Sequence, residues 1–162
     1  MKLIVHTDGG ARGNPGPAAV GVVIEREEES KVESHLPAML RIALQAGKSK
    51  VLVTEFGKRI GETTNNVAEY TAVLEALRNL KSQITMTNDQ ADRNFEIQFF
   101  LDSNLVVQQL NGNFQVKDPH LKKLFFDVRI LEQEVGGVVT YSYVPREQNT
   151  RADYFVNQAL DD

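Results

Sequence analysis

The chain has 162 residues, the size of one domain with a sizeable hydrophobic core. It contains no cysteine, which excludes disulfides and thiolate metal sites, and its formal net charge of −4 argues against a protein that wraps nucleic acid through electrostatics. No apolar run approaches the roughly 20 residues of a membrane span, and the first residues favour a strand over a signal peptide, so we expect a cytoplasmic protein.

The first half of the chain predicts three strands and a long helix. Strands over 2–8 and 18–25 flank a turn rich in glycine and proline, and a third strand covers 51–60. The helix covers 64–81. Its apolar residues recur at helical spacing and are Val67, Tyr70, Leu74 and Leu77.

Residues 35–50, between the second and third strands, predict a helical insertion. Pro37 suits a helix start and Gly47 a helix stop. One side of this helix would carry Leu36, Met39, Leu40, Ala43 and Leu44. This apolar side needs a cover. We expect its own domain to cover it and the protein to be a monomer, with a homodimer through 35–47 as the alternative.

The second half begins with a polar segment, 82–94, that predicts a loop. A strand over 95–101 follows, and Ser103 and Asp118-Pro119 are suited to start the next two helices. The remaining predicted elements are helices over 104–110 and 119–135, a strand over 138–144 and a helix over 150–160. This order predicts a single α/β domain over 1–162, a mixed sheet with helices on both faces.

Four acidic residues lie where predicted strands end or predicted helices begin. Asp8 and Asp102 each end a buried strand, whereas Glu69 and Asp153 lie in the first turns of helices. An open α/β sheet binds ligands at the carboxyl ends of its strands and near helix N-termini. Hard cations such as Mg²⁺ prefer carboxylate oxygens. The pattern therefore predicts a divalent-metal site.

Each acid also has a structural interpretation when it is taken alone. An aspartate that follows a strand is often a turn residue. The pair Asn66 and Glu69 has the spacing of a capping box, and Asp153 fits an acidic first turn that the helix dipole favours. The residues alone leave both interpretations open at each position.

Six short motifs occur in a fixed order along the chain. They are TDGG at 7–10, GNPGPA at 13–18, TTNNVAEY at 63–70, LDS at 101–103, LVVQQLNG at 105–112 and NTRAD at 149–153. Together they resemble the type I ribonuclease H family, from one end of the chain to the other apart from the insertion at 35–50. In this combination the four acids favour the functional interpretation over the structural one.

The resemblance implies a ribonuclease H-like five-stranded mixed sheet whose first three strands are antiparallel. It implies an endonuclease that hydrolyses the RNA strand of RNA/DNA hybrids with two divalent ions, normally Mg²⁺ with Mn²⁺ able to substitute, and leaves 5′-phosphate and 3′-hydroxyl ends. The family's metal-binding acids match Asp8, Glu69, Asp102 and Asp153. By the same resemblance Asp8 bridges the ions, Glu69 and Asp102 hold the leaving-group ion, and Asp153 holds the nucleophile ion.

The resemblance also implies residues that contact the substrate. Gly10 allows close backbone approach, the amides would read 2′-hydroxyls and base edges, and Arg146 would offset phosphate charge. The set is Gly10, Asn14, Asn65, Asn66, Gln108 and Arg146. Two members keep an alternative interpretation, since Gln108 also fits an exposed helix position and Arg146 also fits a pair with Glu147.

Two features of many family members are absent from the sequence. The loop at 145–149 has no histidine, and no basic insertion separates Gly112 from Lys117. Both absences resemble a histidine-free branch of the family, and we expect modest hybrid affinity that weakens as salt rises.

Three other function classes fit the pattern less well. Intact acids argue against a hybrid-binding module without catalysis. Asn65, Asn66 and the Gly/Pro turn argue against a DNA nuclease of the same superfamily. No feature points to a small-molecule-binding domain.

Overall fold

The computed structural model describes residues 1–28, 35–45, 48–86 and 94–162. Within these residues five strands form one sheet, in the order β3-β2-β1-β4-β5. The strands are β1 (Lys2–Ala11), β2 (Gly16–Glu28), β3 (Ser49–Thr63), β4 (Glu96–Leu101) and β5 (Val138–Tyr143). β2 pairs antiparallel with both β1 and β3, whereas β4 runs parallel to both β1 and β5. The predicted five-stranded mixed sheet is confirmed.

Helices lie on both faces of the sheet. They are α1 (Ala38–Gln45), α2 (Asn65–Met86), α3 (Asn104–Leu110), α4 (Pro119–Val135) and α5 (Thr150–Asp161). The main core, on the face that carries α2 and α4, contains Val5, Leu74 and Val128. On the opposite face α5 packs against β2 through Ala19, Val156, Ala159 and Leu160.

A glycine in β2 sets the close approach of α5 to the sheet. A Cβ atom on Gly21 would lie 2.0 Å from the carbonyl oxygen of Ala152, in the first turn of the helix. Any larger residue would therefore push the start of α5 away from the sheet. This contact fixes the depth at which the first turn of α5 sits over β2.

Two of the predicted caps are present. The Ser103 side chain accepts a hydrogen bond from the backbone N–H of Val106 at 3.4 Å, and Asp118 accepts one from the N–H of Leu121 at 2.9 Å. These bonds satisfy backbone donors that a helix start otherwise leaves unpaired. The spans predicted for α3 and α4 are confirmed.

The loop predicted over 82–94 is wrong in its first part, because α2 continues to Met86. Ile84 packs against the main core and the hydroxyl of Thr85 donates to the carbonyl oxygen of Lys81 at 2.8 Å, and both contacts hold the polar last turns in the helix. Residues 87–93 of that segment lie outside the described residues, and Asn94 lies in neither a helix nor a strand. A short 3₁₀ helix at Arg146–Gln148 was not predicted.

The helical insertion is present as α1, and its predicted stop at Gly47 lies outside the described residues. The expectation that its own domain covers its apolar side is wrong for Met39 and Leu40, whereas Leu36 is half-buried. Met39 is 85% exposed and Leu40 47% exposed. Across the described ranges, no helix is both long and apolar enough to cross a membrane.

Candidate functional site

Three of the four predicted acids come together at one edge of the sheet. One carboxylate oxygen of each of Asp8, Glu69 and Asp102 lies within 4.8 Å of the others. Thr7 pairs with Leu101 in the parallel β1–β4 ladder, so the next residue of each strand, Asp8 and Asp102, arrives at the same level. We call Asp8, Glu69 and Asp102 the acid cluster.

Glu69 joins the cluster because α2 approaches β1 closely. A Cβ atom on Gly9 would lie 2.2 Å from the carbonyl carbon of Ala68, so only glycine allows this approach. The hydroxyl of Thr64 accepts the N–H of Val67 at 3.3 Å at the start of α2. The capping-box interpretation of Glu69 is therefore not supported, since Thr64 caps this turn.

Asp153 lies beside the cluster rather than within it. It occupies the first turn of α5 and lines the same cleft as the other three acids. Its carboxylate is 3.8 Å from the guanidinium of the exposed Arg146. The alternative interpretation of Arg146 was an ion pair with Glu147. The structure instead records an ion pair between Arg146 and Asp153.

Burial and like charge make the acid cluster electrostatically unfavourable when it is fully ionised. Burial, followed by the charges of Asp102 and Asp153, raises the pKa of Asp8 to about 7, and Arg146 opposes this shift. Burial and the neighbouring Asp8 and Asp102 raise the pKa of Glu69 well above its ordinary value.

Glu69 carries a further signal of an incomplete site. Its Oε2 atom is buried and finds no hydrogen-bond donor in the part of the chain that the structure describes. Its neighbours are the other carboxylates. Buried polar atoms are normally paired, so a positively charged group would complete this arrangement.

A cleft of about 480 Å³ contains the acids and several of the predicted contact residues. Gly10, Asn65, Asn66 and Arg146 line it, whereas Asn14 and Gln108 are not among its lining residues. Gln108 is half-buried on α3 rather than exposed, and its side chain bonds to the side chains of Asn104 and Asn113 at 3.2 and 2.8 Å.

Asn14 and Asn65 connect the Gly/Pro turn to α2. The side-chain oxygen of Asn14 accepts the backbone N–H of Asn65 at 3.0 Å, and the side-chain oxygen of Asn65 accepts the N–H of Ala11 at 2.9 Å. These oxygens are used by the fold. The side-chain NH₂ groups remain as donors for a ligand.

Sequence reasoning missed several residues at this site. Arg12, Ser103, Tyr143 and Asn157 line the cleft, and Ser103 was predicted only as a helix cap. Asn149 is 1% exposed and donates from Nδ2 to the carbonyl oxygen of Thr7 at 2.9 Å. The only sequence feature that pointed to Asn149 was its position in the NTRAD motif, and nothing in that motif predicts that its side chain is buried.

Comparisons with known proteins give consistent matches. A family model described as "Reverse transcriptase-like" matches residues 6–159. The "Bifunctional protein Rv2228c" of Mycobacterium tuberculosis is 34% identical over 99% of this chain and 36% of its own length. "Ribonuclease HI" of Halobacterium salinarum is 37% identical over 99% of this chain and 65% of its own length. The chain thus spans about a third of the first of these relatives.

Solved structures agree with the sequence matches. The chain resembles LC11-RNase H1 in complex with an RNA/DNA hybrid, with a TM-score of 0.73, 37% identity and coverage of 98% of this chain and 96% of that one. It also resembles RNase H1 from Halobacterium salinarum, with a TM-score of 0.73, 33% identity and coverage of 100% and 99%.

Proposed function

Since the chain belongs to the type 1 ribonuclease H family, we propose that it hydrolyses the RNA strand of RNA/DNA hybrids and leaves 5′-phosphate and 3′-hydroxyl ends. The observation that carries the proposal is the acid cluster, three carboxylates with oxygens within 4.8 Å of one another in an open cleft. That a similar protein, LC11-RNase H1, forms a complex with an RNA/DNA hybrid supports the substrate class.

The donors at the site fit divalent ions. They are hard carboxylate oxygens, which Mg²⁺ and Mn²⁺ prefer. The unpaired Oε2 of Glu69 and the raised pKa of Asp8, about 7, both favour a nearby cation. We propose two ions, held by Asp8, Glu69 and Asp102 with Asp153 beside them, and Asp8 as the residue shared by both.

When bound, the two ions would supply a more acidic attacking water and a counter-charge for the leaving oxygen. In this proposal Glu69 and Asp102 serve the leaving-group side and Asp153 the nucleophile side. The rigid attachment of these acids to β1, β4, α2 and α5 holds them in place before the substrate arrives, so little reorganisation is needed during the reaction.

Other cleft residues would bind and orient the hybrid. The exposed Arg146 carries positive charge at the cleft and would offset the charge of the scissile phosphate. The NH₂ groups of Asn65 and Asn66 would donate to 2′-hydroxyls, which distinguish RNA from DNA. Gly10 lets a backbone approach closely, and Asn14 would act through its side-chain NH₂.

The test is a cleavage assay on labelled RNA/DNA hybrid, double-stranded RNA, double-stranded DNA and single-stranded RNA, with Mg²⁺ or Mn²⁺. We expect cleavage of the RNA strand of the hybrid alone, with 5′-phosphates on the products. Cleavage of double-stranded DNA at a comparable rate would contradict the proposal. Hybrid binding without cleavage would identify a binding module instead.

Two further expectations accompany this function. We propose that the protein acts as a monomer and that its affinity for the hybrid is modest, because an acidic chain gains little from phosphate contacts. The affinity should fall as salt rises, because salt weakens the phosphate contacts that are made. The cytoplasmic location stays a prediction.

A further inference from the structure

A histidine behind the acid cluster contacts the segment that starts α5. The Nδ1 atom of His6 lies 3.2 Å from the side-chain oxygen of Asn149, although 143 residues separate the two in sequence. The imidazole ring stacks on Phe100, with ring centroids 5.2 Å apart and planes 22° apart. The ring therefore has an aromatic neighbour at its face and an amide at Nδ1.

The hydrogen bonds of Asn149 fix which atom carries the proton. Its Nδ2 donates to the carbonyl oxygen of Thr7 at 2.9 Å, and a carbonyl oxygen can only accept. Its side-chain oxygen therefore faces His6 and must accept, which requires the proton on Nδ1 of His6.

Asn149 connects this contact to Asp153. Its backbone oxygen accepts the N–H of Asp153 at 3.1 Å, in the first turn of α5. The carbonyl that its side chain contacts belongs to Thr7, the residue before Asp8 and the last one paired with β4. A continuous chain of hydrogen bonds therefore runs from His6 through Asn149 to Asp153, and a branch ends beside Asp8.

We propose that His6 is a positioning residue for this site: its Nδ1–H holds the Asn149 amide, and that amide holds the first turn of α5, with Asp153, against β1 beside Asp8. Without the donor at position 6, the amide oxygen of Asn149 is buried and unpaired, and rotation of the amide to find another partner breaks its bond to Thr7. The inference rests on the proposed function, since it assigns Asp153 a place in the metal site.

Two substitutions separate the hydrogen bond from the packing of the ring. His6→Phe keeps an aromatic ring against Phe100 and removes the donor, whereas His6→Asn puts an NH₂ group where Nδ1 stood. Groups that orient metal ligands are typically worth about 10–100-fold in activity or metal affinity. We expect His6→Phe to lower kcat by about tenfold with little change in KM for the hybrid, and His6→Asn to recover most of the loss.

Two readouts do not depend on catalysis. In metal-free protein, amide hydrogen exchange at Asp153 should be faster in His6→Phe than in the wild type and close to the wild type in His6→Asn. Mn²⁺ titrated in a calorimeter should bind His6→Phe more weakly. Phe100→Leu is the matched control, because it removes the stacking partner and keeps the donor, so exchange at Asp153 should stay near the wild-type rate.

Several results would overturn the assignment. They are unchanged exchange at Asp153 in His6→Phe, or equal losses in His6→Phe and His6→Asn, which would indicate ring packing alone. If His6→Phe does not fold, ¹⁵N NMR of wild-type His6 decides: a proton on Nδ1 supports the proposal and a proton on Nε2 contradicts it. If wild-type protein cleaves no hybrid, the proposed function fails, and the exchange rates still judge the connection from His6 to Asp153.

Discussion

Two polar regions of this molecule, each at least partly buried, are built in opposite ways. The acid cluster combines like charges, and Oε2 of Glu69 lacks a donor within the described residues. In the second region, between α4 and β5, Arg129 donates to both carboxylate oxygens of Glu132 at 2.9 and 3.1 Å, and the hydroxyl of Tyr141 donates to Glu132 as well. We call Arg129, Glu132 and Tyr141 the paired network.

The difference separates a structural role from a functional one. In the paired network each charge has a partner of opposite sign or a hydrogen bond, which makes burial tolerable and connects α4 to the sheet. In the acid cluster, burial and then like charge raise the pKa values of Asp8 and Glu69, and Arg146 offsets only part of this at Asp8. Perturbed groups in a cleft are typical of functional sites. The predictions below test this contrast.

The largest expected effect is the loss of cleavage in Asp102→Asn. The amide keeps the shape of the side chain and removes one charge and one hard ligand. Metal-free Asp102→Asn should unfold at the same temperature as the wild type or higher, since a like charge is gone. Asp127→Asn, which alters an acid paired with Lys123 at 3.1 Å on α4, should keep wild-type cleavage. Unfolding of metal-free Asp102→Asn would instead assign Asp102 a structural role.

The pH dependence of stability should carry the signature of the cluster. The folded-state pKa of Asp8, about 7, lies above the ordinary value of about 4 for an unfolded aspartate. At Asp8 the folded state therefore binds more protons between these values, and the contribution of Asp8 to the free energy of unfolding of metal-free protein falls as pH rises from about 4 to about 7. Above pH 7 the full penalty is present.

Asp8→Asn removes this contribution and should be more stable than the wild type at pH 8, with the difference shrinking toward pH 4. Urea unfolding across this range measures it. Glu62→Gln, at an exposed position of β3, is the control and should run parallel to the wild type. A wild type that gains stability from pH 4 to pH 7 relative to Asp8→Asn would refute the assignment.

Substitution in the paired network should lower stability and leave activity unchanged, the opposite of what we expect for the acid cluster. Tyr141→Phe removes the hydroxyl that donates to Glu132, and hydrogen bonds to charged groups contribute about 1.5–3 kcal/mol. Because Arg129 still pairs with Glu132, we expect a loss of about 1–2 kcal/mol in the free energy of unfolding. Cleavage by the folded fraction should stay at the wild-type rate. If Tyr141→Phe lost activity and kept its stability, the paired network would have a functional role and this prediction would be wrong.

The smallest effect is expected at α1. Leu40 is 47% exposed, and surface substitutions usually change stability by less than about 0.5 kcal/mol. Leu40→Asp should therefore leave both the unfolding midpoint and the sedimentation coefficient unchanged. A wild-type dimer that becomes a monomer in Leu40→Asp would show instead that a second copy covers this helix.

The sequence predicted the strand-end acids because their signal is local. Asp8 and Asp102 each follow an apolar run, and parallel pairing of Thr7 with Leu101 brings them together. The fold class and the spans of α3 and α4 were predictable for the same reason, since caps and periodicity lie within a few residues.

What the sequence could not predict depends on distant contacts. Asn149 is buried because it contacts Thr7 and His6, which lie 142 and 143 residues away. The last turn of α2 looked like a loop because its packing residue, Ile84, stands among polar neighbours. Met39 and Leu40 were expected to pack against the domain because they lie on the apolar side of a helix. Periodicity identifies such a side and does not show what lies against it.

The central claim is that the acid cluster is a divalent-metal site, and the thermal unfolding midpoint with and without Mn²⁺ tests it most directly. A ligand that binds only the folded state stabilises it by mass action. The account predicts that Mn²⁺ raises the midpoint of the wild type beyond the effect of NaCl at matched ionic strength, and that Asp102→Asn shows a smaller rise. An equal rise in both proteins, or none in the wild type, would contradict it.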